Sequence, residues 1–166
     1  MNRNIIFVLI LIIGLILQVI FFSVYKPWGI KPDFLLVIIV VTSLLEGPKT
    51  GLIIGVIGGL LQDIFLGNFI SINTILKGPL AFISGFLEGH FYKGNYFLAP
   101  VATFFTSIVY YLLAIILSEE LIFSINYWFT IRTVILPSAL YNAVLSFIIY
   151  FIFYKTFYGG EKYYGR

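Results

Sequence analysis

The sequence has 166 residues, of which 61% are hydrophobic and only 10% are charged, whereas a soluble domain carries roughly 25% charged residues. A mean hydropathy of +1.07 leaves too few polar side chains to cover a water-facing surface, so most of the exterior must face lipid. Because each crossing takes about 20 residues, six crossings leave room for short loops and for no separate extramembrane domain.

The charged residues and cysteines exclude several kinds of site. Ten Lys and Arg against seven Asp and Glu give a formal charge of +3, and the basic residues are scattered singly, unlike a nucleic-acid-binding patch. There is no cysteine for a disulfide, a thiolate nucleophile or a zinc ligand. The single histidine, His90, cannot form a two-histidine metal site. We therefore expect no nucleic-acid partner and no cofactor.

Apolar runs separated by Pro, Gly and charged residues predict an all-α integral membrane protein with about six transmembrane helices. The runs cover residues 5–24, 33–45, 51–66, 70–87, 96–117 and 131–154. The first follows a basic residue and is longer than the apolar core of a signal peptide, about 7 to 15 residues, so we expect an uncleaved anchor. The second and third runs rise only about 20 and 24 Å. They could be extended by their flanks, cross a locally thinned bilayer, or form a re-entrant pair.

The basic residues predict the orientation, because Lys and Arg near the ends of spans are retained in the cytoplasm. With the N-terminus inside, six basic residues are cytoplasmic: Arg3, Lys49, Lys93, Lys155, Lys162 and Arg166. Three are outside: Lys26, Lys31 and Arg132. This asymmetry predicts that both termini and the turn at residues 46–50 lie in the cytoplasm.

Small residues recur at every fourth position in two of the predicted spans, which places them on one face of each helix. In the third span they are Gly51, Gly55 and Gly59, with Gly58 beside them; in the fourth they are Ala81, Gly85 and Gly89. Two interpretations are open at this point. The stripe could allow close packing of helices within one protomer, or it could contact a helix of another protein.

Two ionisable residues lie inside apolar runs, Asp63 in the third and Lys77 in the fourth. The short turn at residues 67–68 makes these spans antiparallel neighbours, so we predict that the two charges pair, the alternative being that each snorkels separately. Three further polar residues at membrane depth are expected to bond neighbouring helices. They are Gln18, Asn73 and Asn142.

Enzymatic interpretations fail on missing residues. Neither G-x-S-x-G nor H-E-x-x-H occurs, and Glu119-Glu120 is not followed by the Arg that a paired-Glu membrane protease motif has four positions later, since residue 124 is Ser. The best remaining arrangement is an aspartyl dyad of Asp33 and Asp63. Asp33 has a simpler explanation, because it precedes a helix whose first amides a carboxylate can cap. The residues alone therefore indicate a polytopic membrane protein without a visible active site.

Four short stretches in the middle of the chain resemble, in their order and spacing, the family of the rod shape-determining protein MreD. They are Lys-Pro-Asp-Phe-Leu-Leu at 31–36, Leu-Glu-Gly-Pro-Lys-Thr-Gly at 45–51, Leu-Leu-Gln-Asp-Ile-Phe at 60–65 and Ile-Asn-Thr-Ile-Leu-Lys at 72–77. The resemblance covers about a third of the chain, residues 31–89. Together with the spans, it suggests nine structural or interaction residues: Asp33, Glu46, Gly51, Gly55, Gly59, Asp63, Asn73, Lys77 and Gly85.

This resemblance implies a non-catalytic scaffold in the bacterial cytoplasmic (inner) membrane, surrounded by membrane lipid. It implies a part in the elongasome, the machinery of lateral peptidoglycan synthesis. The implied partners are the bitopic protein MreC and, through it, the MreB filament and the glycosyltransferase and transpeptidase of the elongasome.

The same family is similar in architecture to the substrate-binding subunit of energy-coupling factor vitamin transporters, which supplies the alternative function. Such a subunit has an outward-opening pocket and docks through small residues. The first span offers Gly14 but no A-x-x-x-A stripe. A small channel or a lipid-binding protein is a third class that the composition allows.

Overall fold

The computed structural model describes residues 3–24, 32–67, 71–87, 95–117 and 127–158. Within these ranges every regular element is helical, as the sequence predicts. In chain order the elements are α1 (Arg3–Val24), α2 (Phe34–Glu46), α3 (Pro48–Leu66), α4 (Ile72–Gly85), α5 (Leu98–Leu117), α6 (Tyr127–Thr130), a π-helical segment (Ile131–Ile135) and α7 (Leu136–Phe157).

The helix α2 lies at the centre of the bundle and contacts α1, α3, α4, α5 and α7. All its residues from Leu35 to Leu45 are buried. A helix that is apolar on every face is enclosed by protein or lipid, and here the neighbouring helices enclose it. This position explains the short run of apolar residues that the sequence shows, because a helix without a lipid-facing side need not match the thickness of the bilayer.

A single residue, Gly47, separates α2 from α3. Its φ of 87° is in the left-handed region, which favours glycine, and Pro48 begins α3 at a position where its missing amide costs nothing. The predicted break at residues 46–50 is therefore too long. As a result α3 has 19 residues and rises about 28 Å, more than the run 51–66 suggested.

Both ends of α4 also differ from the prediction. The helix runs over Ile72–Gly85 rather than over residues 70–87, with residues 86–87 in a turn and residue 70 outside the described part. It has 14 residues, a rise of about 21 Å. Accordingly α2 and α4 are both short helices.

The last helical stretch is longer than predicted, 127–157 instead of 131–154. Within this stretch, the π-helical segment ends two residues before Pro137. The amide of Leu136 donates to the carbonyl of Ile131, five residues back. Because proline cannot donate a backbone bond, the helix widens by one residue here before α7 continues.

Three helical segments are long and apolar enough to cross a membrane: Pro48–Leu66, Leu98–Leu117 and Trp128–Phe157. Two shorter apolar helical segments accompany them, Ile6–Ile20 and Phe34–Glu46. Large apolar side chains cover the outside of the bundle, with Ile13, Ile64 and Phe105 all more than half exposed. The interior holds buried polar and charged groups. The interior also contains a large apolar core, so it is the strongly apolar exterior that distinguishes the chain from a soluble protein.

Candidate functional site

The central ion pair of the bundle joins Lys77 to Asp33, not to Asp63 as predicted. The Nζ atom of Lys77 lies 2.6 Å from Asp33 Oδ2, and the Lys77 side chain is fully buried. Lys77 also donates to Gln62 Oε1. The prediction was wrong because it considered only the α3–α4 hairpin. The enclosed position of α2 brings its N-cap residue Asp33, 44 positions before Lys77 in the chain, beside α4.

Asp63 instead caps the first turn of α4. Its Oδ1 atom accepts bonds from the amide of Asn73 at 3.2 Å and from Asn73 Nδ2 at 2.7 Å. Its Oδ2 atom accepts from the amide and the hydroxyl of Thr74, at 2.8 and 2.7 Å. A carboxylate is stabilised where free amides and the positive end of a helix dipole converge. Asp63 therefore needs no cation, although only 2% of it is exposed.

Tyr110 of α5 connects these two arrangements. Its hydroxyl donates to Asn73 Oδ1, and the Nζ atom of Lys77 lies 5.1 Å from the centre of its ring, within reach of a cation–π interaction. Lys77 therefore has two oxygen acceptors and one aromatic face around its three N–H bonds. The buried charge is fully accommodated by the protein.

The N-terminus of α2, which lies at the depth of the Asp33–Lys77 ion pair, is held by hydrogen bonds to two other helices and to its own N-cap. Asp33 Oδ1 accepts from the amide of Leu36 at 3.0 Å, and Gln18 of α1 accepts from the amide of Leu35 at 3.1 Å. The amide of Asp33 donates to Asn142 Oδ1 of α7 at 2.9 Å. Gln18 and Asn142 thus link helices, which is the role predicted for polar residues at membrane depth, and the amides of Asp33, Leu35 and Leu36 all have acceptors at this buried helix end.

We call these connected residues the buried polar cluster: Asp33, Gln62, Asp63, Asn73, Lys77, Tyr110 and Asn142. The cluster joins α2, α3, α4, α5 and α7. Asn142 extends it further by donating from Nδ2 to Ser107 Oγ at 3.0 Å.

At its other end α2 is held by the C-terminal end of α7. The hydroxyl of Tyr158 lies 2.7 Å from Glu46 Oε1 and 2.9 Å from the Leu45 carbonyl oxygen. Glu46 is half-buried, and its carboxylate faces this hydroxyl. We refer below to the Asp33 end and the Glu46 end of the bundle, which are separated by the length of α2.

The glycine stripe of α3 faces α4 within the same protomer. A Cβ atom at Gly55 would lie 2.7 Å from the Lys77 carbonyl oxygen, and one at Gly59 would lie 2.6 Å from the Asn73 carbonyl oxygen. Both neighbours are backbone atoms that cannot move aside. These glycines therefore let the two backbones approach closely enough for Asp63 and Gln62 to reach α4.

The remaining described glycines of the two stripes are enclosed as well. A Cβ atom at Gly51 would overlap Ser43 Oγ of α2, and one at Gly85 would lie 2.5 Å from Pro48 Cα. The Gly58 position faces Ile39 of α2. Gly89 lies outside the described residues. For the described glycines of the spans, the stripe is a contact between helices of one chain.

The aspartyl dyad is not formed. The Asp33 carboxylate contacts Lys77 and the Leu36 amide, while the Asp63 carboxylate accepts four bonds from Asn73 and Thr74. A dyad requires two carboxylates that share one proton, and here each carboxylate has separate donors. Their arrangement holds helices together.

Sequence reasoning missed Gln62, Tyr110 and Ser107 as members of this polar interior. Gln62 is adjacent to Asp63 and was available as a signal, since two consecutive polar residues near the end of an apolar run are unusual. Tyr110 gave no signal, because the chain has twelve tyrosines and nothing in the sequence distinguishes this one. Only the packing of α5 against α4 identifies it.

An apolar exterior over an interior of bonded polar groups, built from helices of which three are long enough to cross a bilayer, defines a helical membrane protein. A sequence profile for the rod shape-determining protein MreD matches residues 1–158. The chain belongs to the MreD family, and its role is in the determination of rod cell shape. Neither a curated protein nor a solved structure matches the chain. The similarity to energy-coupling factor transporters therefore gains no support.

Proposed function

We propose that this protein is a non-catalytic, multi-pass scaffold of the rod-shape machinery in the bacterial inner membrane, binding MreC and, through it, the MreB filament and cell-wall enzymes. The observation that carries the proposal is the family match over residues 1–158, together with the state of the buried charges. Asp33, Asp63 and Lys77 are each bonded by groups of the same chain. A catalytic acid or base needs a proton-transfer partner in a substrate, and these residues are already committed to the protein.

Six crossings with both termini in the cytoplasm remain the topology that we propose. Its support is the alternation of the helices: α2 begins beside Gln18 near the far end of α1, α3 follows α2 after one residue, and Asp63 near the end of α3 meets the start of α4. The pairs α1–α2, α2–α3 and α3–α4 are thus antiparallel. The short helices α2 and α4 can cross because their ends are bonded within the bundle.

The packing of the glycines within the protomer limits which side chains a partner helix can contact. Within the described part of the chain, the helical glycines of the spans meet neighbouring helices of the same protomer. A partner helix in the membrane therefore meets large side chains such as Leu60 or Phe105, which are 45% and 62% exposed. We propose that MreC is bound by shape complementarity to one such face and not by a small-residue stripe.

A photo-crosslinking scan tests this proposal. A photoreactive amino acid is placed at one exposed position on each long helix, Ile13, Leu60, Phe105 or Val144, and at buried Ala139 as the matched control. In cells that depend on this chain for rod shape, we expect crosslinks to MreC from one face of the bundle and none from Ala139. A functional protein that gives no MreC crosslink at any exposed position would contradict a direct contact through these helices.

A further inference from the structure

The last helical segment is much longer than the other spans. Trp128–Phe157 has 30 residues, against 19 for Pro48–Leu66 and 20 for Leu98–Leu117. At 1.5 Å per residue it measures about 45 Å, whereas the hydrocarbon core of a bilayer is about 30 Å thick. One or both ends of this segment must therefore extend beyond the core.

Two contacts fix where the excess lies. Tyr158 binds Leu45 at the Glu46 end of α2, and Asn142 binds Asp33 at the other end of α2. The 13 residues of α2 separate these ends by about 20 Å. Arg132 lies ten positions before Asn142, which adds about 15 Å. Arg132 is thus about 35 Å from the Glu46 end. With that end, where Lys49 is exposed, taken as one boundary of the hydrocarbon core, Arg132 falls just outside the opposite boundary of a core of about 30 Å, at the headgroup layer.

The side chains at this level have the chemistry of a membrane interface. The Arg132 guanidinium lies over the Trp128 ring, with its Cζ atom 4.8 Å from the ring centre. Trp128 and Phe129 are 64% and 65% exposed. Among the described elements, the short helix Tyr127–Thr130 contacts only the π-helical segment that follows it. Among the described residues Arg132 has no ion-pair partner. The Trp128 ring covers one face of its planar guanidinium, and the N–H groups at the edge of the guanidinium can bind an anion.

We propose that Arg132 binds the phosphate group of a phospholipid at the Asp33 end of the bundle, with Trp128 and Phe129 in the same headgroup layer. A lipid phosphate fits better than a protein carboxylate because the level of Arg132 coincides with that layer. Amphipathic and aromatic rings beside a basic residue are typical of this depth. The segment 127–135 would anchor the end of the long helix and fix its height in the bilayer, which goes beyond the proposed scaffold function.

The first part of the test locates Trp128. Because the chain has two tryptophans, a Trp28→Phe background makes Trp128 the only tryptophan in the full chain, and it is excited at wavelengths that tyrosine does not absorb. The protein is placed in phosphatidylglycerol nanodiscs that carry a nitroxide either on the headgroup or near the end of the acyl chain. We expect the headgroup nitroxide to quench Trp128 at least about twofold more than the acyl-chain nitroxide. Efficient quenching by aqueous iodide with no effect of the headgroup label would overturn the proposal.

The second part measures binding. Detergent-solubilised protein is titrated with dihexanoyl phosphatidylglycerol, followed by the emission of Trp128. We expect Arg132→Gln to weaken binding about fivefold and Arg132→Lys to retain part of it. Leu140→Ala, at an exposed position of the same helix outside segment 127–135, leaves the charge unchanged and should bind as the parent does.

Equal melting temperatures of the three variants show that each is folded. Unchanged lipid binding in Arg132→Gln would overturn the proposal. The proposal would also be overturned if Trp128 emission changed only in the presence of a co-purifying protein, because that protein would then be the ligand of this segment.

Discussion

Replacing Lys77 by Met removes the ammonium group that the Asp33 carboxylate contacts at 2.6 Å. The methionine side chain is of similar length and fills the space, so the main change is electrostatic. Asp33, which is 5% exposed, keeps only the Leu36 amide as a donor to its carboxylate. The converse change, Asp33→Asn, leaves the buried ammonium with Gln62 and the Tyr110 ring.

Breaking a buried ion pair on one side costs about 3 to 5 kcal/mol of folding free energy, and we expect this from each single change. In the double variant no buried charge is left without a partner, and the main loss is the donor to Gln62, worth about 1 to 3 kcal/mol. The double change should therefore cost at least about 2 kcal/mol less than the sum of the single changes.

The assay is the free energy of unfolding in bicelles by titration with SDS, measured for the parent, both single variants and the double variant. The matched control is a second cycle with Asp63→Asn and Lys77→Met. Since Asp63 is bonded by Asn73 and Thr74, we expect its coupling to Lys77 to be below about 1 kcal/mol. Strict additivity in the Asp33 cycle, or an equally large coupling in the Asp63 cycle, would refute the reasoning.

Three further predictions concern packing, the Glu46 end and topology. Gly59→Ala should lower the free energy of unfolding by about 1 to 3 kcal/mol, because the added Cβ atom would overlap the backbone of α4. In the same titration, Leu60→Ala on the exposed face should lower the free energy of unfolding by less. Tyr158→Phe should cost about 1 to 2 kcal/mol through the lost hydroxyl, and a variant as stable as the parent would exclude this contact. In intact spheroplasts an impermeant maleimide should label a cysteine at Ser124 and not one at Lys49; labelling of Lys49 alone would reverse the proposed orientation.

The sequence predicted the helical elements and most of their order because apolar runs in a membrane protein must form helices. It also predicted the residues that allow close packing, since a repeat of small residues every four positions defines one helix face. The boundaries near Gly47 were less accurate, because a proline can either break a helix or begin one. Only the neighbouring backbone decides between these alternatives.

The pairing of Lys77 could not be derived from the chain order. A local argument compares only consecutive spans, and by that argument Asp63 was the nearest carboxylate. The structure shows that Asp63 is stabilised by the amides of α4, a contact that depends on the height at which α4 begins. Asp33 reaches Lys77 because α2 is enclosed by the other helices, and such a central position is a property of the whole bundle.

The central claim is that the buried polar cluster holds the scaffold together and carries out no chemistry. It is tested most directly by expressing the double variant with Asp33→Asn and Lys77→Met in rod-shaped cells depleted of their own MreD protein, with membrane abundance and MreC crosslinking measured in the same cells. We expect a double variant that is present at the parent's abundance to restore rod shape. Spherical cells that contain an abundant, MreC-bound double variant would contradict the claim, because the charges would then have a role other than holding the fold.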